Sequence, residues 1–440
     1  MSTNLEILKF INKSEGVSID TRTLEKGQVF FALAGDNFDG NKFVKVALEK
    51  GAVLVVASDK KFSTVPNVIV VDNTLKTLQN VAELHRDRLD IPIIGLTGTN
   101  GKTTTKELLC KILSSQYNVL CTAGNLNNHI GVPLTLLKLT SDHQLAVVEM
   151  GASGHGEIDF LCNLAKPTHG LITSIGIAHI EGFGSLQNII KTKLELYHYL
   201  KERPGAFFYN NEIIELKDFV EDYKNLMTFS FDDMKGKNIY KVSLNKTFLF
   251  LDLNIILKSN KVINVKTNLY GEYNFMNIVN AIKISDYFDI SVENIKKGLE
   301  NYISENNRSQ IVEWNSNKLI MDAYNANPTS MKLALQTFEN TNSEKDKYLV
   351  LGDMLELGNV SLSEHLKILK YLLEKSFYKK CIFIGKEFIK AMENNSDYKK
   401  SMFFVENVKD AKKIVEQLEI RDSMILVKAS RGIKAESIFE

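Results

Sequence analysis

The stretch GLTGTNGKTTTKELL, from Gly95 to Leu109, constrains the fold of this chain more than any other. An apolar run, IPIIGLTG, enters it, and a helix-forming run, TTTKELLCKILSS, leaves it. Strand, glycine-rich loop and helix in that order make a cradle for phosphate. Glycines let the backbone turn its N–H groups inward, and the helix N-terminus adds the positive end of its dipole. The common form of such a loop reads G-x-x-x-x-G-K-[ST]. Counting back from Gly101, Lys102 and Thr103 puts Leu96 where the first glycine belongs, with Gly95 and Gly98 on either side. Lys102 is expected to reach the outer phosphates, and the hydroxyl of Thr103 or Thr104 to face a Mg2+ ion. The alternative, a glycine-rich turn that merely starts a helix, does not require strand, loop, Lys-Thr pair and helix to coincide.

Further apolar strands, YNVLCTAG, QLAVVEMG and HGLITSIG, alternate with helical stretches, which predicts a mostly parallel sheet buried on both faces. Before it, QVFFALAG, AVLVVAS and NVIVVD read as the strands of a small α/β module. After it, IYKVSLNKTFLFLDLNIILKSNKVINVKTNLYG alternates like antiparallel strands, and from about Arg308 the strand-helix rhythm returns. The expected architecture is α/β with three domains. Residues 1–80 form the small module, 81–305 a central ATPase domain with a P-loop-type parallel sheet, and 306–440 a Rossmann-like C-terminal domain. A length of 440 residues exceeds what one core normally covers.

Composition narrows the partners. A formal net charge of +1 offers no bulk attraction for nucleic acid or anionic membrane, so an anionic ligand must be a small molecule held by a local site. No apolar run approaches the roughly 20 residues that span a bilayer, and charges interrupt the N-terminal MSTNLEILKFINKSEG, unlike a secretory signal. The four cysteines, Cys110, Cys121, Cys162 and Cys381, contain no C-x-x-C pair and read as reduced thiols that fill space. A cytoplasmic protein with no membrane insertion is expected.

A phosphate-bound Mg2+ needs a carboxylate, usually from the end of a neighbouring strand. Glu149, which closes the apolar run in LAVVEMGASGHGEI, is placed to supply it. In the helix SLQNIIKTKLELYHYL, Leu186, Ile190, Tyr197 and Leu200 form one apolar stripe with Lys193 near its middle, while Glu195 points the other way. An isolated ammonium there is costly, so Lys193 must snorkel, be paired or be chemically altered. Upstream, ITSIGIAHIEGFGS carries His179 in a loop after a strand of the same sheet, where ligands gather.

The segments GLTGTNGKTTTKELL, AGNLNNHIGVPLTLL, EMGASGHGEI, GIAHIEGFGS followed by Lys193, YGEYNFMNIVNA, MDAYNANPTSMKLAL, GDMLELG and VKASRG occur in this order. A chain so marked resembles the Mur ligases over nearly its whole length, and the displaced glycine is the form that family uses. The resemblance implies ATP-dependent amide synthesis through an acyl phosphate. YNANP points to the branch that adds D-alanyl-D-alanine to a UDP-linked muramoyl tripeptide, and the DNPR element of the diaminopimelate-adding branch is absent. It further implies that Gly98, Thr99, Asn100, Gly101, Lys102, Thr103 and Thr104 hold the ATP phosphates. Thr103 and Glu149 would take one Mg2+, and His179 and a carbamylated Lys193 a second. Lys102, Glu149, His179 and Lys193 are thereby the catalytic set.

By the same resemblance, Asn274, Asn277, Arg308 and Asp322 bind nucleotide. Tyr273 stands where the family often has His. Asn128, Tyr324, Asn325 and Asn327 attend the substrates, and Ser18, Thr21 and Arg22 lie near the UDP in a uridine-binding first domain. Arg431 and Asp353 are secondary contacts, and Asn41, where the family often has His, is assigned nothing. A hinged monomer is implied. The competing readings are a ligase of the same fold with another amine acceptor, such as a folylpolyglutamate synthase, and a non-catalytic nucleotide-binding regulator.

Overall fold

The apolar runs become strands and sort into separate sheets in the computed structural model, which describes residues 3–35, 38–201, 203–245, 249–394 and 400–440. Val17–Ser18, Val29–Phe31, Leu54–Ala57 and Val68–Val70 pair in that order as a parallel sheet. Alternation along the strands divides its faces: Val29, Phe31, Leu54 and Val56 pack with Ile7, Leu8, Leu78 and Val81 from two helices, Thr3–Ile11 and Thr74–Arg86. Phe30, Val55 and Ala57 face the other way, onto Val44 and Ala47.

The second sheet has six parallel strands in the order Leu226–Phe229, Ala206–Asn210, His169–Ile172, Ile93–Thr97, Leu145–Glu149 and Val119–Cys121. Ile93, Ala146 and Val148 enter one core, and Ile94, Leu96 and Val147 the other, so the sheet is covered on both faces as its unbroken apolar runs require. The strand Ile93–Thr97 lies near the middle, and its two neighbours end at Glu149 and Ile172. Three adjacent carboxyl ends therefore open on one crevice, the position in which parallel sheets bind ligands. An antiparallel sheet, Ile239–Leu244, Phe250–Leu257 and Val262–Tyr270, follows as the alternation predicts.

The C-terminal sheet runs Gln310–Trp314, Asn317–Asp322, Met424–Lys428, Lys347–Gly352, Lys380–Ile384 and Met402–Val405. Only its first pair is antiparallel. Among the described residues no helix is long and apolar enough to cross a membrane.

The register of the glycines now has a physical reason. Gly95 belongs to the strand rather than to the loop: a Cβ there would lie 2.6 Å from Met150 Cε and 3.2 Å from Pro167 Cβ, so its absence lets neighbouring elements close on the sheet. Leu96 is a core residue. Gly98, at φ 143°, makes the turn, and a Cβ on it would collide with the Thr173 hydroxyl.

Two sequence expectations are corrected. Cys110 and Cys121 are joined in a disulfide rather than standing as reduced thiols, because the helix Lys102–Leu113 packs beside the strand Val119–Cys121 and brings their Cα atoms within 6.4 Å. Cys162 and Cys381 are free and buried, as space-filling thiols should be. Glu195, expected on the side opposite the stripe, is itself covered. It is only 8% exposed, because the helix Leu186–Lys201 lies against the helix Glu157–Ala165, and its carboxylate accepts hydrogen bonds from the backbone N–H of Gly156 at 2.8 Å and of Asp159 at 2.9 Å. Leu186, at the first turn, leaves the apolar stripe and is 38% exposed.

His169, half-buried at the start of its strand, marks a pH-sensitive point. Its ring lies 5.1 Å from Phe288 and 5.6 Å from Tyr287, and burial pulls its pKa down to about 4 from 6.5. Between those values the unfolded chain binds the extra proton and the folded chain does not. The contribution is therefore complete above pH 6.5 and is lost as pH falls through 4, at most about 3 kcal/mol. Denaturant melts near neutrality and near pH 5 should show wild type losing more stability on acidification than His169→Phe. Equal losses would remove the assignment.

Candidate active site

A cavity of about 1100 Å3 lies at the carboxyl ends of the central strands and is bounded on its far side by residues of the C-terminal domain. It exceeds the roughly 300–1,000 Å3 of a single small-ligand pocket. The glycine loop forms one wall and is held rigidly from below. Thr173 Oγ1 and Ser174 Oγ donate to Asn100 O at 2.6 and 3.0 Å, Asn100 N donates to Ser174 Oγ at 2.9 Å, and Thr99 N donates to Ser174 O at 2.9 Å. Gly101, at φ 80°, starts the helix, and its missing side chain makes room for the Asn277 amide.

Lys102 folds back over this loop, its Nζ donating to Gly98 O at 2.7 Å and Thr99 O at 3.2 Å. Burial lowers its pKa, and Arg308 pushes the same way against the pull of Glu149. An ammonium so placed gains from an incoming anion. Glu149, 1% exposed, accepts at Oε1 from Thr103 Oγ1 (3.1 Å) and Asn127 Nδ2 (2.7 Å), while its Oε2 has no hydrogen-bond partner. A buried carboxylate oxygen left open beside a threonine hydroxyl is a donor set that suits a hard cation. Among the described residues no group of three or more His, Cys, Asp or Glu side chains forms a metal cage, so such an ion would need oxygens from its ligand as well.

Lys193 is 2% exposed, with its Nζ 5.5 Å from the centre of the Phe183 ring. Burial first, and Lys102 next, bring its pKa down to about 7. His179 is lowered mainly by burial, with Lys102 and Lys193 adding to the effect, and its Nδ1 meets the Glu356 carboxylate. Lys102 and His179 line the cavity and Lys193 does not, yet Lys102 adds to the lowering of both other groups and Lys193 to that of His179.

The C-terminal domain supplies the opposite wall. Asn327 Nδ2 donates to Asn100 Oδ1 at 2.8 Å, joining the two domains at the glycine loop itself. The Arg308 guanidinium stacks over Tyr324 at 3.5 Å, with that of Arg431 at 5.3 Å from the same ring. Asp322 is paired with Lys428 at 2.8 Å and accepts from Ser309 N at 3.2 Å. Asn274 accepts from Asn277 Nδ2 at 2.8 Å, and the Tyr273 hydroxyl bonds to Ser309 Oγ at 2.6 Å.

Comparison with known proteins bears directly on this geometry. Three family descriptions match consecutive parts of the chain: "Mur ligase family, catalytic domain" over residues 13–95, "Mur ligase middle domain" over 96–285, and "Mur ligase, glutamate ligase domain" over 307–431. The UDP-N-acetylmuramoyl-tripeptide--D-alanyl-D-alanine ligase of Bacillus subtilis is 35% identical over 96% of this chain and 92% of its own. The chain belongs to the Mur ligase family. A crystal structure of MurF from Acinetobacter baumannii superposes with a TM-score of 0.85 at 27% identity, covering 99% of this chain and 97% of the other. MurF of Thermotoga maritima in complex with ADP shares the fold, with a TM-score of 0.80 at 23% identity over 100% and 97% of the two chains.

Most sequence candidates converge on the cavity. Thr99 to Thr104, Glu149, His179, Asn274, Asn277, Arg308, Asp322, Tyr324 and Asn325 all line the cavity. Gly98 shapes the loop from behind. Asn128 also lines it, but its Oδ1 caps a helix by accepting from Ile130 N and Gly131 N; the neighbouring Asn127 is the residue that holds Glu149. Asp353 does not line the cavity. Its carboxylate accepts from Glu387 N and Phe388 N and so caps the helix Lys386–Glu393.

Ser18 ends the first strand of the first sheet, Thr21 and Arg22 follow it, and none of the three lines the cavity. Arg22, with 88% of its side chain exposed, is tied to Asp20 at 2.6 Å, and hydrogen bonds from Arg22 pull the Asp20 pKa down to about 2. Asn41 is a structural clamp on Asp39, Ser58 and Asp59.

Sequence reading passed over Lys106 and Lys428. Lys106 sits one helical turn beyond Lys102, buried, with its Nζ 3.9 Å from the open Glu149 oxygen. The second lysine of KTTTKE, at i+4, was the available signal. Lys428 lies inside VKASRG as the buried last residue of its strand, and reads there as one more sheet residue.

Proposed function

We propose that this Mur ligase joins D-alanyl-D-alanine to UDP-N-acetylmuramoyl-tripeptide, with ATP converted to ADP and phosphate. The observation that carries the reading is the meeting of Lys102, the open Glu149 oxygen and Asn327 around one loop, because that arrangement brings phosphate chemistry and the C-terminal domain to the same point. The residue ranges 1–80, 81–305 and 306–440 serve as the uridine-side, ATP-side and dipeptide-side domains. Ser18, Thr21 and Arg22 are assigned to the UDP end of the substrate. A monomer acting in the cytoplasm fits the small-molecule partners.

A carboxylate is a poor electrophile. Its oxygen attacks the γ-phosphorus, ADP departs, and the resulting acyl phosphate is open to the dipeptide amine, which expels phosphate as the amide forms. Lys102 and the loop N–H groups stabilise the charge that develops on the phosphoryl oxygens. Thr103 and Glu149 would hold one Mg2+, with His179 and a carbamylated Lys193 serving a second; such ions neutralise phosphate charge. Asn327, Tyr324 and Asn325 orient the amine, and Arg308 and Asp322 the nucleotide. The chain's own contribution is positioning and charge complementarity, both of which favour the transition state.

Phosphate release should require ATP, Mg2+, the muramoyl tripeptide and D-alanyl-D-alanine together, and mass spectrometry should find the pentapeptide product. Turnover with free amino acids but not with the dipeptide would reassign the acceptor. ATP binding without any acyl transfer would leave a regulator instead.

A further inference from the structure

The contact between His179 and Glu356 is not accounted for by the reaction as written. Both residues hold left-handed backbone, His179 at φ 50° and Glu356 at φ 64°, although neither is glycine. Such conformations persist where surrounding structure over-determines them, and they concentrate at functional sites. Here the surroundings are a hook from the C-terminal domain. Glu181 N donates to Glu356 O at 3.2 Å. Gly358, at φ 53°, passes so close to Glu181 that an added Cβ would lie 3.3 Å from Glu181 Cβ. Val360 packs on the small cluster of Ile180, Phe183 and Ile189. The Glu356 Oε2 atom ends the hook on His179 Nδ1.

An imidazole has one proton to place when neutral. A carboxylate on Nδ1 fixes the proton there and leaves the Nε2 lone pair free to bind a cation or accept a proton. Carboxylates in this relation to a ligating histidine orient the ring and set its tautomer. His179 lines the cavity, and Glu356 comes from the domain that bounds its far side. We propose that Glu356 is a positioning residue. Docked from the C-terminal domain, it holds His179 as the Nδ1–H tautomer, so that the histidine is correctly presented only when the two domains are together. The activity arm of this inference rests on the ligase reading above, and the tautomer arm does not.

The test uses the full chain with 15N-labelled histidine and long-range proton–nitrogen spectra, the His179 signals being assigned by their loss in His179→Ala. Wild type should show the Nδ1–H form at His179, and Glu356→Ala should convert it to Nε2–H. The same substitution should lower kcat/KM about 10- to 100-fold. In the His179→Ala background it should have no further effect beyond about twofold, as expected for two residues acting through one contact. An Nδ1–H signal that persists in Glu356→Ala, or a full additional loss in the double variant, would overturn the proposal. Glu356→Gln keeps the side-chain shape and serves if the alanine variant does not fold. A lesser loss in the same direction supports the role, and unchanged rate and tautomer defeat it. If wild type makes no ADP, the spectra still decide.

Discussion

Replacing Lys102 with alanine is expected to lower kcat on the order of 10³-fold while the protein stays folded. Among the described residues the ammonium bonds only to Gly98 O and Thr99 O, carbonyls of its own loop, and the loop itself is held by Thr173 and Ser174. Loss of Lys102 therefore removes a charge without removing the scaffold. Burial lowers the pKa of this lysine, which means that its charged form is short of solvation and strongly rewarded by an incoming phosphate. Water cannot supply the same stabilisation, because it must reorganise as the charge moves. Lys102→Arg should rescue poorly, since a planar guanidinium does not fit a turn closed around a point charge. Steady-state ADP release, with circular dichroism to check the fold, measures both variants. An alanine variant within tenfold of wild-type kcat would remove Lys102 from the chemistry.

How much of this was legible in the sequence depended on how local the determining contacts are. The glycine loop could be read because strand, turn and helix are consecutive and each imposes its own residue types. Even there, the register made sense only in three dimensions, where Gly95 serves sheet packing and Gly98 serves the turn. Glu149 was legible as a carboxylate at a strand end, yet the choice between Asn127 and Asn128 was not. Adjacent asparagines in an irregular segment carry no periodicity to tell a helix cap from a ligand of Glu149.

The burial of Glu195 was not legible for a different reason. A helical wheel assumes one buried face, and the helix Leu186–Lys201 has neighbours on two. The Cys110–Cys121 link carried no motif, because its spacing of 11 is set by a helix packing on a strand rather than by a short loop. Lys428 and Glu356 belong to contacts between elements far apart in the chain, where a single sequence holds no record of the pairing.

Lys193 is the residue on which sequence anomaly and structure bear most directly, and its loss is expected to cost on the order of 10²- to 10³-fold in kcat/KM. The helical stripe around Ile190, Tyr197 and Leu200 forces the side chain inward, and burial with Lys102 nearby brings its pKa down to about 7. An ordinary lysine at neutral pH is almost wholly charged. This one is about half neutral there, and the neutral fraction rises with pH. Only the neutral amine reacts with CO2; a carbamate formed there would put an anion in place of the cation, easing the repulsion that Lys102 exerts on Lys193 and that Lys193 exerts on His179.

At fixed dissolved CO2, a 13C-carbamate signal should therefore grow from about pH 6 to about pH 8 as the amine deprotonates. It should be absent from Lys193→Ala and should rise in parallel with activity. Lys193→Arg keeps the positive charge but cannot form the carbamate, so it should be as inactive as the alanine variant. An active arginine variant would mean that a cation at this position is sufficient, and that the buried lysine acts as the ammonium it started from.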